Sequence, residues 1–236
     1  MKTRLGLAFL CALPLLSSAQ QRVVAHPMPT RGQAASHKPE GSASQHTQQM
    51  DFMELVRRFE VNGREIWQKP DEVIELLGKL KNKTVLDLGA GTGYFSIRLA
   101  RHGARVIAAD VDPRFLDYIR QRVPAEGVDS GEVITRLVPH DDPKLAPGEV
   151  HAVLMVDVYH HIEHRPTYFA RLRKGMQPGS PLLIVDYHPA KPGNDSPPPN
   201  LLVSPRQVEA ELRKAGFKQF EWKEDWLDYQ YVLIAR

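Results

Sequence analysis

Large apolar residues recur along this chain in two rhythms. Phe52, Leu55, Val56 and Phe59 fall three and four apart, and Val73, Ile74, Leu76, Leu77 and Leu80 do so again after Pro70. That spacing marks one face of a helix. Pro70-Asp71-Glu72 is a good helix opening, with acids in the first turn where backbone N–H groups point. Beyond it, short β-rich runs alternate with helical ones. Strands are predicted over 84–88, 105–110, 132–138, 150–156 and 182–187, with helices over 94–101, 113–122 and near 166–176. Strands that are apolar throughout, separated by helices, indicate a parallel sheet covered on both faces. After a Pro-rich loop from His188 to Val203, Ser204 caps a helix over 205–215 that stops at Gly216. Two last strands, near 217–223 and 229–235, are linked too tightly for a parallel crossover and form an antiparallel hairpin. The predicted fold is α/β: a doubly wound, mostly parallel seven-stranded sheet with helices on both faces and a C-terminal antiparallel hairpin.

The N-terminus follows another grammar. Met1-Lys2-Thr3-Arg4 is basic, Leu5 to Leu16 is almost wholly apolar, and Ser17-Ser18-Ala19 offers small residues for cleavage. This reads as a signal peptide over 1–19 and predicts an exported protein, periplasmic or secreted, without stable membrane association after cleavage. The alternative is an uncleaved N-terminal membrane anchor, although an apolar run of about 12 residues is short for a bilayer. Residues 20–49 are rich in Gln, Ser, Pro and His and poor in large apolar side chains, a linker composition. Its His26, His37 and His46 have nothing to order them into a metal shell. The remaining 50–236 divide into an N-terminal helical lid (50–80) and a core (83–236).

Composition adds exclusions. Hydrophobic residues at 42% and charged residues at 25% are ordinary for a globular protein and exclude a polytopic membrane or fully disordered chain. The net charge is +3, and cleavage would remove Lys2 and Arg4 from it. A nearly neutral chain has no broad basic field, so nucleic acid is not expected as a partner. The single cysteine, Cys11, lies in the leader, which excludes disulfide and thiolate chemistry from a mature chain.

The first strand runs into Val85-Leu86-Asp87-Leu88-Gly89-Ala90-Gly91-Thr92-Gly93-Tyr94. Glycines allow a tight turn and close approach of a ligand, and the helix that follows aims free N–H groups into the turn. A dinucleotide fingerprint would need its third glycine at position 94, which is Tyr. Asp87 would also repel a pyrophosphate, but it suits a cationic ligand. S-adenosylmethionine has a sulfonium, an α-ammonium and an α-carboxylate, and no phosphate; Asp87 can meet the ammonium. With these residues the chain resembles the class I S-adenosylmethionine-dependent methyltransferases, matching their first motif from Val85 to Gly93 without departure. Val106 to Asp112 resembles the family's second strand and acidic tip, and Arg171 to Gly179 its turn before strand five, with Ser180 where a second Gly is frequent. Trp67-Gln68-Lys69-Pro70 and Trp226-Leu227-Asp228-Tyr229-Gln230-Tyr231 resemble a bacterial subgroup of it.

The cofactor expected is therefore S-adenosyl-L-methionine, held by Asp87, Gly89, Ala90, Gly91 and Gly93. Asp110, at the end of the second strand, is placed to accept from both ribose hydroxyls, and Asp112 to cap the helix at Pro113. Val111 would pack on the adenine. The resemblance places an acid for the adenine amino group after strand three, where Asp141 and Asp142 both stand.

Met155 to His164 ends strand four, beside the sulfonium and the acceptor in the resembled family, so Asp157 joins the cofactor contacts. Tyr159, His160 and His161 are the candidate catalytic residues. A histidine there could act as general base. Alternatively His160 and His164, four apart on a helix, could hold a metal with Asp157, Asp186 or His188, or the histidines only tie loops together. Glu60, Arg64 and Trp67 could form a lid or simply pack a helix on the sheet, and Pro197-Pro198-Pro199 stiffens the rim. The leading expectation is a methyltransferase acting on a small molecule by direct in-line displacement. A non-catalytic nucleoside-binding protein is the alternative, and a nicotinamide oxidoreductase is disfavoured by Asp87 with Tyr94.

Overall fold

In the computed structural model, residues 51–191, 193, 196–223 and 225–236 are described. The signal peptide and linker expected over 1–49 lie outside them. Three short helices come first: α1 (Phe52–Phe59), α2 (Arg64–Gln68) and α3 (Pro70–Glu75). Then follow β1 (Thr84–Leu88), α4 (Tyr94–Arg101), β2 (Arg105–Asp110), α5 (Pro113–Ala125), β3 (Val133–Leu137) and β4 (Ala152–Val156). A 3-10 turn (Tyr159–His161) leads to α6 (Arg165–Gly175), β5 (Leu182–Tyr187), α7 (Pro205–Lys214), β6 (Phe220–Lys223) and β7 (Gln230–Ala235).

The seven strands lie in the order β3-β2-β1-β4-β5-β7-β6. Every pair from β3 to β5 is parallel, whereas β7 runs antiparallel to both β5 and β6. The expected hairpin is present, and its second strand is the one that joins the sheet. β7 is buried at every residue, and the more exposed β6 is left at the edge. Successive strand residues alternate between two cores. Val85, Val106 and Leu154 pack with Val73, Phe95 and Ile119, while Leu86, Ile107 and Met155 pack with Phe169, Leu172 and Val208. The chain winds outward from β1 through β2 to β3, then returns to start β4 on the other side. The crevice at the carboxyl ends of β1 and β4 is thus the switch point at which such sheets bind ligands.

Some boundaries differ from the pattern. The helix over 113–122 continues to Ala125 with Pro124 inside its last turn, and Glu126 N closes it on Arg122 O. The strand over 150–156 starts only at Ala152, since Val150 pairs with Met176 in an isolated bridge. The helix opened by Pro70 stops at Glu75, and Leu77 and Leu80 are buried from the turn that follows. Helix α2 is a separate short piece of the expected helical segment, bounded by Gly63 and Lys69, both at positive φ, which cut that segment into three.

Candidate functional site

The glycine turn is tied to β2: the N–H groups of Gly89 and Ala90 both donate to Ala109 O, at 2.8 and 3.0 Å. Gly89 and Gly93 are at φ of 75° and 80°, where a side chain is strained. The close approach they allow is by the chain itself. A Cβ on Gly89 would sit 2.3 Å from Val158, and one on Gly93 2.9 Å from Ile119. Gly91 faces the ring of Phe59 from α1. Ala90 is buried between them.

Asp87 is 3% exposed and accepts from Ser96 Oγ at 2.6 Å. Burial pushes its carboxyl up to about 6; the Ser96 hydroxyl opposes this and neighbouring Asp110 adds to it. Asp110 is also buried; its Oδ2 accepts from Gly91 N at 2.8 Å and its Oδ1 from Asp112 N at 3.0 Å. Burial raises its pKa against those backbone donors. Asp112 caps α5 as expected, accepting from Arg114 N at 2.9 Å. Val111 is half-exposed beside them. The pair after β3 stands apart from this cluster: Asp142 accepts from Lys144 N at 2.8 Å, and Asp141, 76% exposed, pairs with Arg171 on α6. Both acids have partners of their own outside the cluster.

At the tip of β4 the candidate residues separate. His160 Nδ1 lies 2.8 Å from Asp186 Oδ1 at the end of β5, with both side chains 3% exposed. Burial opposes a charge on this imidazole, but the Asp186 carboxylate more than offsets it, so the pKa of His160 is raised. His161 packs on the His160 ring, centroids 4.2 Å apart; burial and then the His160 charge push it down to about 3. Tyr159 has gone to the core. Its ring stacks on Phe169 and its hydroxyl donates to Glu211 on α7 at 2.7 Å, which gives it a packing role. The i,i+4 metal pairing is not formed, because His160 is in the 3-10 turn and His164 is at φ 48° before α6. Among the described residues no group of three His, Cys, Asp or Glu side chains is placed to hold a metal ion.

Asp157 begins this tip at φ 59°, an unusual conformation for a side-chain-bearing residue. Its carboxylate accepts from Gln230 Nε2 and, at 3.5 Å, from Gln68 Nε2; the two amides are joined at 3.0 Å. Both glutamines are fully buried. Burial and then Asp186 push the Asp157 carboxyl up to about 7, opposed by Arg64 and His160. A raised folded-state pKa favours the protonated form, so this group's stabilising effect is full below 3.8 and is lost as pH rises through about 7. The Asp157→Asn variant is therefore expected to gain in melting temperature over wild type between about pH 4 and pH 8. Parallel melting curves for the two proteins across that window would contradict it.

The N-terminal segment closes the site. Glu60 accepts from Thr92 Oγ1 of the glycine turn and pairs with Arg122 on α5. Arg64 lies over the Tyr94 ring at 4.3 Å. Trp67 meets Tyr229, and Lys69 donates to Trp226 O at 3.3 Å, so α2 also docks on the β6–β7 connection. Sequence reasoning missed Phe59, Ser96, Val158 and the Gln68–Gln230 pair. Only the Trp67-Gln68-Lys69-Pro70 and Trp226 to Tyr231 segments carried a trace of that pair, and the structure interlocks them.

Comparison with known proteins agrees with this fold. Residues 85–179 match the methyltransferase domain family. An uncharacterised methyltransferase of Mycobacterium tuberculosis is 28% identical over 144 residues, covering 61% of this chain and 55% of the relative. A demethylmenaquinone methyltransferase of Tropheryma whipplei is 28% identical over 118 residues, covering 50% and 47%. The chain thus spans about half the length of the curated relatives it matches. Among solved structures, a SAM-dependent methyltransferase of Aquifex aeolicus superposes with a TM-score of 0.71 at 21% identity, covering 79% of this chain and 98% of that one. A [4+2]-cyclase gives a TM-score of 0.67 at 16% identity, covering 82% and 95%.

Proposed function

Starting from a methyltransferase domain over residues 85–179 and a Rossmann-like methyltransferase fold around it, we propose that this chain transfers a methyl group from S-adenosylmethionine to a small-molecule acceptor. The observation that carries this reading is the buried acid pair at the switch point. Asp87 lies within the glycine motif and Asp110 beside it, an acceptor set that repels phosphate and welcomes ammonium and hydroxyl groups. Asp110 would receive the ribose hydroxyls, Asp87 the ammonium, and half-exposed Val111 the adenine face. The cofactor supplies a methyl group already activated by its sulfonium, and transfer is an in-line displacement. The chain's own task is then to position the acceptor and remove its proton.

His160 is the residue suited to the proton. Asp186 holds Nδ1, which leaves Nε2 as the nitrogen to receive it. His161, with a pKa of about 3, is too weak a base at neutral pH. His160→Ala is expected to lower kcat by about 100-fold with S-adenosylhomocysteine affinity unchanged. Because Asp186 raises the His160 pKa, turnover should rise with pH through a value above 6.5, and Asp186→Asn should move that limb to lower pH. A wild-type pH profile in both variants would return the dyad to a structural role.

The first measurement is calorimetric titration of the chain with S-adenosylhomocysteine, with NADH for comparison. Saturable binding of the first alone is the expected result, and binding of NADH alone would overturn the reading. If S-adenosylhomocysteine binds but no acceptor is methylated, the site is a nucleoside pocket without transfer. The [4+2]-cyclase neighbour makes that second reading worth testing. The export reading of 1–19 is a separate part of the proposal, supported by the pattern Lys2 to Ala19. A reporter fused after Ala19 should be active outside the cytoplasm, and activity confined to the cytoplasm would overturn it.

A further inference from the structure

Charge is spread unevenly at the carboxyl ends of the strands. Asp87, Asp110 and Asp186 are buried there, and Asp157 follows β4 directly. The cations that act on these acids are Arg64 and His160. Three of the acids are matched. Asp186 holds His160, Asp110 accepts from two backbone N–H groups, and Asp87, bonded to Ser96, meets the cofactor's ammonium in the reading above. Asp157 is left over. Its hydrogen-bond partners are the neutral amides of Gln68 and Gln230, and the nearest cation, Arg64, stays 4.0 Å away. A carboxylate placed here without a close cation is costly, and the free chain offsets that cost with a proton, which is why its pKa rises to about 7. An asparagine would carry no charge to bury, so the acid costs stability at this position, as ionisable groups at functional sites do.

A second, independent observation lies one strand over. Tyr231 stands opposite Asp186 in the β5–β7 register and so shares its face of the sheet. Its hydroxyl is fully buried and has no hydrogen-bond partner among the described residues. Such an orphan costs stability until something supplies the missing partner. Asp157 and Asp186 are themselves neighbours, since Asp157 N donates to Val185 O at 2.9 Å where the paired strands β4 and β5 end. The acid without a close cation, the orphan hydroxyl and His160 therefore stand at the same strand ends. We infer that this part of the crevice is built for a cationic acceptor, a primary or secondary amine that enters as its ammonium, with Asp157 as counter-charge and the Tyr231 oxygen accepting one of its N–H groups. The inference names the acceptor class of the transfer reading above and rests on it. The ammonium gives one proton to His160 Nε2, the freed nitrogen pair takes the methyl group, and the bonding pair stays on sulfur. A carboxylate acceptor would instead meet Asp157 and Asp186 as like charges.

The test uses sets of compounds that differ only in the reacting group: benzylamine, benzyl alcohol and benzoate, and hexylamine, hexanol and hexanoate. Each is titrated calorimetrically into chain saturated with S-adenosylhomocysteine, and methylation is followed separately with S-adenosylmethionine. Wild type, Asp157→Asn and Tyr231→Phe are compared, each checked by thermal melting. In wild type the amine of a set should bind at least about tenfold more tightly than its alcohol or carboxylate, and be the member methylated. Asp157→Asn, which should melt no lower than wild type, is expected to bring amine and alcohol within about threefold of each other. Tyr231→Phe should weaken the amine by about threefold or more without lowering the melting temperature. An alcohol or carboxylate bound as tightly as its amine would overturn the inference. So would amines left unbound by a chain that holds S-adenosylhomocysteine. Equal weakening of all three members in Asp157→Asn would make that acid a structural support, and unchanged amine binding in Tyr231→Phe would leave the hydroxyl without its partner; either overturns the inference equally. If wild type does not hold S-adenosylhomocysteine at all, the cofactor reading itself fails, and this inference with it.

Discussion

Asp110→Ala is expected to weaken S-adenosylhomocysteine binding by about 100-fold or more. Two hydrogen bonds from ribose hydroxyls to a charged acceptor are lost, each contributing about 1.5–3 kcal/mol. The structure adds a second reason for a large effect. The same carboxylate holds the N–H groups of Gly91 and Asp112, so its removal leaves two donors at the rim without partners and loosens the glycine turn. Asp110→Asn keeps an oxygen for one of those donors and should lose less. Calorimetry on the three proteins orders them wild type, asparagine, alanine. Unchanged affinity in the alanine variant would remove Asp110 from the ribose role.

Gly89→Ala should be the most destabilising single-atom change in the site. The residue is at φ 75°, where a Cβ costs about 1–2 kcal/mol. The new methyl would also meet Val158 at 2.3 Å, and overpacking of this kind costs typically about 1–3 kcal/mol. A loss of about 2–5 kcal/mol in unfolding free energy follows. The two causes separate in a double mutant: Val158→Ala should restore the steric part and leave the backbone part. Chemical denaturation of the four proteins would show this, and additive effects would contradict the contact. The result bears on function too, because Val158 belongs to the β4 tip. The glycine turn and the proposed proton site are packed directly on one another.

The fold was legible because its signals are local. Apolar runs of strand length between helical repeats announce a parallel sheet, and the tight link between the last two strands announces a hairpin, whereas the structure decided that β7 and not β6 joins the sheet. The acid at 110 was legible for the same reason: a strand end is a position along the chain, and its geometry follows from the strand. The Asp112 cap was equally readable, since a cap acts within two residues. The break that ends helix α2 was not legible. It depends on Lys69 at φ 48°, a conformation that no propensity favours and that docking of Trp67 and Lys69 on the C-terminal connection maintains. The three residues at the β4 tip looked equivalent in sequence, and the structure gave each a different task. Tyr159 packs on Phe169, His160 pairs with Asp186, and His161 packs on the His160 ring with its pKa pushed down to about 3.

The sequence by itself determined the sheet, its winding, the glycine turn and the acids Asp87 and Asp110, since each is set by neighbours within a few residues or by hydrophobic period. Only the tertiary structure decided which side chains share charge and protons. The His160–Asp186 dyad joins residues 26 apart, and the Gln68–Gln230 amide pair joins residues 162 apart. Contacts of that separation leave no period in the chain. Their partners are brought together by the order of strands β4, β5 and β7, and burial there makes a charge costly enough that each group must find its counterpart.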